Sequence, residues 1–151
     1  MVKSARQSFV NCYGLEYEFV LVDGNSQDGT QEWCEDQPDI RLIRHAEIYA
    51  TVKAFNDGAF AATGQYVILA NDDIEFLDKS VLASWLYMQE NKACGIGCFL
   101  QDRERQHMPD NHPDKYRVEN MPVVRNGGQA SEPYGQVCIV PKWLGDSVGW
   151  W

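Results

Sequence analysis

The chain has 151 residues and 44% hydrophobic residues, which is typical of one globular domain with a buried core and excludes a disordered chain. Its formal net charge of −9 excludes a nucleic-acid partner, because contacts to the phosphate backbone require a basic face. The apolar runs are too short to cross a bilayer and none follows Lys3 and Arg6, so we expect a cytoplasmic protein with no transmembrane segment and no secretory signal.

Helices and strands alternate along the chain. The predicted elements are a helix over 2–13, a strand over 18–23, a helix over 28–37, a strand over 40–43, a helix over 49–63, a strand over 65–70, a helix over 81–91 and strands over 93–100 and 136–140. We expect Gly14 to end the first helix, and Asp78 or Ser80 to cap the helix over 81–91. The order predicts a single α/β domain over residues 1–151 with a mostly parallel sheet flanked by helices.

A polar segment over 101–132 separates the last two predicted strands. It contains prolines and shows no clear periodicity, and it is long for a connection within a compact domain. Long connections of this kind usually carry function or move.

Two acidic turns follow predicted strands. Asp23 opens the first turn after a short apolar run, and Asp72 and Asp73 follow the strand over 65–70. Ligands of open α/β sheets bind at the carboxyl ends of the strands, so we expect Asp23 and Asp73 at the ends of adjacent or near-adjacent strands. The simpler interpretation of the first turn is a polar turn that leads to a helix cap at Asp28, and that of the second is a solvated loop. Both turns together favour a site for a metal ion and phosphates.

The blocks of sequence around these turns resemble glycosyltransferase family 2, whose members have the GT-A fold. The family carries a Val-Asp-Asp-Gly-Ser-Thr-Asp-Gly-Thr type turn, then an Asn-x-Gly…Ala-x-Gly-x-Tyr stretch that leads to an Asp-x-Asp motif. This chain has Val22-Asp-Gly-Asn-Ser-Gln-Asp-Gly-Thr30 and Lys53-Ala-Phe-Asn56-Asp-Gly58, followed by Gly64-Gln-Tyr66-Val-Ile-Leu-Ala-Asn-Asp-Asp73. The order and spacing of the blocks match over most of the chain.

The resemblance implies a transferase that binds a nucleoside-diphosphate sugar through Mn²⁺ or Mg²⁺. The sugar passes to a hydroxyl of a glycan or other acceptor, with inversion, as in the biosynthesis of cell-surface polysaccharides. Asp23 and Asn25 match the turn that holds the nucleotide, and Lys53 matches a basic position that faces the diphosphate.

The same resemblance assigns the metal site. Asp73 matches the last aspartate of Asp-x-Asp, the metal ligand, with Asn71 as a second ligand and Asp72 beside the nucleotide sugar. Asn71 replaces an aspartate of the motif, and Gly24 replaces the second aspartate of the turn. These two departures leave open a non-catalytic nucleotide- or sugar-binding module, or a structural remnant of the same fold.

The ends of the chain also differ from the family pattern. The family begins with a central strand that precedes the helix matched by residues 2–13, and its catalytic base matches a position beyond Trp151. We therefore expect that this chain alone does not transfer sugar. We also expect that the vacant strand position is filled through a homo-oligomer or a complementing chain.

Overall fold

A computed structural model of the chain describes residues 2–10, 15–48, 50–74, 76, 79–92, 95–100 and 133–150. Its elements are α1 (Val2–Val10), β1 (Phe19–Asp23), α2 (Thr30–Glu35), β2 (Ile40–Arg44), α3 (Thr51–Ala61), β3 (Tyr66–Leu69), α4 (Ser80–Glu90), β4 (Gly97–Leu100), β5 (Pro133–Pro141) and α5 (Lys142–Val148). They divide between two compact units, which are Met1–Leu15 with Ala70–Ile139, and Glu16–Leu69 with Val140–Trp151.

The unit that contains β1 is built on a parallel strand pair. β1 and β2 run side by side in register from Phe19 opposite Ile40 to Asp23 opposite Arg44. α3 packs on β1 and α2 packs on β2. The approach of α3 is close, since a Cβ at Gly58 would lie 3.3 Å from the Val22 side chain. The parallel pair therefore ends at Asp23 with a helix packed on each strand.

The last helix closes the core of this unit. α5 ends at Gly149, which has φ of 85° as its C-cap, and the chain then turns back so that the Trp150 ring covers Gly145. Trp150 is buried, and its indole Nε1 donates to Asp146 Oδ1 at 3.0 Å. The buried apolar side chains of the unit are Cys34, Ala59, Val67, Leu69, Val140 and Trp150.

The other unit has its own core. α4 packs on β4, and β4 pairs antiparallel with β5 through Gly97 opposite Ile139 and Cys98 opposite Cys138. α1 meets the chain after β3 through an edge-to-face contact of Phe9 with Phe76, whose ring centroids are 5.4 Å apart. The buried apolar side chains are Val81, Met88, Val137, Cys138 and Ile139.

The predicted α/β fold is confirmed, and most predicted elements are found with bounds shifted by a few residues. Two sheets are formed, β1-β2 and β3-β5-β4, and the antiparallel pairing of β4 with β5 was not expected from the sequence. Among the described residues β1 has β2 as its hydrogen-bonded neighbour, and β3 belongs to the other sheet.

The helix α5 was not predicted, because its seven residues include a glycine and are too few to show a helical period. Ser80 is the first residue of α4 and not its cap; Lys79 is the N-cap, with φ of 63° and no capping side chain. The predicted roles of Gly14, Asp78 and the segment 101–132 lie outside the described residues.

In the part of the chain that the structure describes, no helix has the length and apolar character that a membrane span requires.

Candidate functional site

Asp23 is the last residue of β1 and is only 5% exposed. Its Oδ2 accepts the backbone N–H of Ser26 at 2.9 Å and the side-chain amide of Gln31 at 2.5 Å. Ser26 belongs to the turn after β1, and Gln31 lies in the first turn of α2. The turn and the helix thus fold back onto the carboxylate at the end of the strand.

These donors keep Asp23 ionised in spite of its burial. Burial by itself raises the pKa of Asp23, but the hydrogen bonds from Ser26, Gln31 and Asn25 outweigh it and hold the pKa below its ordinary value of 3.8. An ionised carboxylate that is shielded from water at a strand end is a strong acceptor for N–H or O–H donors of a ligand. This environment is chemically suited to the predicted role of Asp23 in nucleotide binding.

The turn between β1 and α2 has a fixed backbone. Asn25 is exposed and has φ of 71°, and the Gln27 amide donates to both the backbone and the side-chain oxygen of Asn25. Asp28 accepts the backbone N–H of Thr30 at 3.1 Å, which is a capping interaction one residue before the N-cap, Gly29. Asp28 therefore stabilises the start of α2, as the simpler interpretation of the turn predicted, but the N-cap itself is Gly29 and not Asp28. Asn25 faces solvent.

Lys53 is linked to the end of β2 through a carboxylate. Its Nζ is 2.6 Å from Asp57 Oδ2, and His45 Nε2 is 2.9 Å from the same oxygen. His45 directly follows β2, and its backbone N–H donates to the Asp23 carbonyl at 2.9 Å. The structure thus brings Lys53 into one hydrogen-bonded chain with the strand ends that carry Asp23.

The second acidic turn follows β3 directly. Asp72 and Asp73 are exposed in this turn, and Asn71 is half-buried. Asp23, Asn25 and Lys53 lie in one compact unit, and Asn71, Asp72 and Asp73 in the other. That the two groups form one site stays a prediction.

The donor set of the second turn suits a hard divalent cation. Two carboxylates and an amide oxygen in three consecutive residues are the oxygen donors that Mn²⁺ and Mg²⁺ bind. Among the described residues no three His, Cys, Asp or Glu side chains converge on one point. A cation held by Asp73 would therefore complete its coordination with ligand oxygens or water, as Mg²⁺ does in phosphate sites.

Sequence analysis missed Gln31, His45 and Asp57. His45 had a usable signal, because it directly follows a predicted strand, as Asp23 does. Gln31 and Asp57 gave no such signal, since they lie inside helices and act through side-chain contacts across eight and twelve positions of the sequence.

Comparison with known proteins defines the class. The structure is similar to that of the mannosyltransferase PcManGT from Pyrobaculum calidifontis in complex with GDP-Man and Mn²⁺, with a TM-score of 0.61 and 20% identity. The match covers 99% of this chain, and the chain spans 44% of the length of that mannosyltransferase. The fold is therefore the GT-A fold of nucleotide-sugar-dependent transferases.

The family model for glycosyl transferase family 2 matches residues 1–139. The chain belongs to this family, as the resemblance of its motifs indicated. No curated protein sequence is detectably similar to it.

Proposed function

We propose that the chain binds a nucleoside-diphosphate sugar with a divalent cation. We propose further that it takes part in transfer of the sugar to an acceptor hydroxyl, with inversion of the anomeric configuration. The observation that carries the proposal is the buried, ionised carboxylate of Asp23 at the end of β1, in a chain that belongs to glycosyl transferase family 2. Support also comes from the structurally similar mannosyltransferase, which was solved with GDP-Man and Mn²⁺.

Each proposed residue has a distinct task. Asp23 accepts hydrogen bonds from the base or ribose, with Asn25 at the rim of the same turn. Lys53 neutralises part of the diphosphate charge. Asp73 and Asn71 hold the cation, and Asp72 lies beside the nucleotide sugar. A cation bound there supplies positive charge that offsets the charge on the departing diphosphate.

The proposed reaction is a single displacement at the anomeric carbon. The acceptor oxygen forms a bond to that carbon while the bond to the diphosphate oxygen breaks, and the electron pair leaves with the nucleoside diphosphate. The hydroxyl proton passes to a general base. Attack from the face opposite the leaving group inverts the anomeric configuration.

A binding panel tests the proposal. Calorimetric titration of the full chain with GDP, UDP and dTDP, each with and without Mn²⁺, should show one nucleotide that binds and whose affinity rises with Mn²⁺. Absence of binding by all three nucleotides in the presence of Mn²⁺ would contradict the proposal.

A non-catalytic nucleotide-binding module is the second candidate function. The observation that favours it is Asn71 in place of the first aspartate of the metal motif, because a neutral amide is a weaker ligand for a hard cation than a carboxylate. Release of free sugar from the nucleotide sugar that binds, measured with the full chain, separates the two functions. Release of free sugar would exclude the module, because a protein that only binds leaves the bond to the diphosphate intact.

A further inference from the structure

Near the ends of β1 and β2, two titratable side chains contact the same carboxylate oxygen of a third. Asp57 Oδ2 lies 2.9 Å from His45 Nε2 and 2.6 Å from Lys53 Nζ. We call these three residues the Asp57 triad. His45 is fixed to β1 through its backbone N–H bond to Asp23, so the triad is attached to the strand that carries the proposed nucleotide carboxylate.

Exposure increases along the triad. The side chain of His45 is 12% exposed, that of Asp57 is 30% exposed, and that of Lys53 is 50% exposed. The His45 side chain is thus mostly shielded from solvent, whereas half of the Lys53 side chain is exposed. An anionic ligand at this edge meets Lys53 first and does not need to reach the histidine.

We propose that His45 and Asp57 are positioning residues that hold the Lys53 ammonium for the diphosphate of the bound nucleotide. The inference rests on the proposed function and adds two residues to it. A lysine side chain has four rotatable bonds and loses much rotamer freedom when it binds an anion. A carboxylate already fixed by a largely shielded histidine restricts that freedom before the ligand arrives. An ammonium has three donors, so it can bind a carboxylate and a phosphate together.

The competing explanation is that the triad only pins α3 to the end of β2. Both explanations predict some loss of stability when Asp57 is changed, but they differ in the sign of the effect on anion binding. If Asp57 only pins α3, its negative charge partly cancels the positive charge of Lys53. Removal of the Asp57 charge should then strengthen anion binding. A carboxylate that positions Lys53 gives the opposite result.

The experiment measures dissociation constants of the full chain for the nucleoside diphosphate that binds in the panel of GDP, UDP and dTDP, and for the corresponding monophosphate. The variants are Asp57→Asn, Asp57→Glu, His45→Leu and Lys53→Met. Glu35→Gln is the matched control, because it removes an exposed ion pair with Arg44, which precedes His45.

We expect Asp57→Asn and His45→Leu to raise the dissociation constant for the diphosphate about three- to tenfold, with a smaller change for the monophosphate. Asp57→Glu should recover most of the affinity, since it restores the charge on the same face of α3, and Glu35→Gln should leave the affinity unchanged. In the Lys53→Met background, Asp57→Asn should have no further effect.

Unchanged or tighter binding by Asp57→Asn would overturn the inference, as would equal losses for diphosphate and monophosphate. Additive effects of Lys53→Met and Asp57→Asn would overturn it too, and this comparison holds even if His45→Leu does not fold. Failure of the unmodified chain to bind any of the three diphosphates is a separate result, which refutes the proposed function and the inference with it.

Discussion

The carboxylate of Asp23 owes its charge to the residues around it. At the end of β1 it is almost fully enclosed, and enclosure alone favours the neutral acid. The N–H of Ser26 and the amide of Gln31 reverse that preference. Stability that depends on such a group is present above its ordinary pKa of 3.8 and is lost as the pH falls through the lower pKa of the folded state.

Gln31→Leu should therefore raise the pKa of Asp23, because it removes one donor to the ionised form while burial continues to favour the neutral form. We expect a loss of about 1–3 kcal/mol in the free energy of unfolding at neutral pH, as for a hydrogen bond to a charged group. Carboxyl NMR titration measures the pKa, and urea unfolding measures the stability. Gln27→Leu is the control, since Gln27 lies in the same turn but bonds Asn25. An unchanged Asp23 pKa in Gln31→Leu would refute this account.

Asp73 provides a second prediction at the level of single residues. Asp73→Ala should abolish the Mn²⁺-dependent part of nucleotide affinity and leave the free energy of unfolding unchanged, because the side chain is exposed in a turn. Titration with and without Mn²⁺, together with urea unfolding, measures both. Asp36→Ala, another exposed aspartate, is the control and should keep the metal dependence. If Asp73→Ala retains it as well, the cation binds elsewhere.

At the scale of elements, α5 depends on a glycine. A Cβ at Gly145 would lie 2.4 Å from the ring of Trp150, which is a clash with a buried side chain and not with a flexible chain end. Gly145→Ala should displace Trp150 and break its hydrogen bond to Asp146, with a loss of about 1–3 kcal/mol as in overpacked cores. Urea unfolding followed by tryptophan fluorescence measures both effects. Ser147→Ala, on the exposed side of the same helix, is the control.

The start of β1 is tied to the turn between α3 and β3. Glu18 Oε1 accepts the backbone N–H and the hydroxyl of Thr63, both at 2.6 Å, and the N–H of Gly64 at 3.2 Å. The hydroxyl bond is the main reason why the pKa of Glu18 lies below its ordinary value of 4.5. Since the folded state holds Glu18 more acidic, this stabilisation is present above pH 4.5 and is lost as the pH falls through the pKa of folded Glu18.

Glu18→Gln should lower the free energy of unfolding at neutral pH by less than about 1 kcal/mol, because the carboxylate is exposed and solvent screens it. The difference from the unmodified chain should be smaller in acid than at neutral pH, because a protonated Glu18 and a glutamine are both uncharged. Unfolding by urea at the two pH values tests this, with Glu16→Gln as the control for an exposed glutamate of the same segment. A difference that does not depend on pH would contradict the assignment.

Elements with a clear hydrophobic pattern and a residue signal at their end could be predicted from the sequence. Elements that depend on tertiary contacts could not. β1 and β3 are short apolar runs that end in acidic turns, and α3 has the helical period, so the sequence predicts them within two residues. α5 is held by Trp150 on Gly145 rather than by its own period. In the candidate site, the position of Asp23 at the end of β1 and that of Asp73 in the turn after β3 followed from the same apolar runs. The donors and the carboxylate that hold Asp23 and Lys53 are set by tertiary packing.

At the scale of the whole molecule, the central prediction is that the chain binds a nucleoside diphosphate through Asp23 and Lys53 and the accompanying cation through Asp73. Membership of glycosyl transferase family 2 supports this prediction.

Paramagnetic relaxation of amide signals by Mn²⁺ tests this claim most directly, because the relaxation falls steeply with distance from the ion. In the presence of the nucleoside diphosphate that binds, Mn²⁺ should broaden the amide signals of residues 71–73 most strongly, and next those of residues 23–25 and of Lys53. Asp73→Ala should remove both effects together. Broadening at residues 71–73 without any at residues 23–25 and Lys53, or strongest broadening at a different part of the chain, would contradict this prediction.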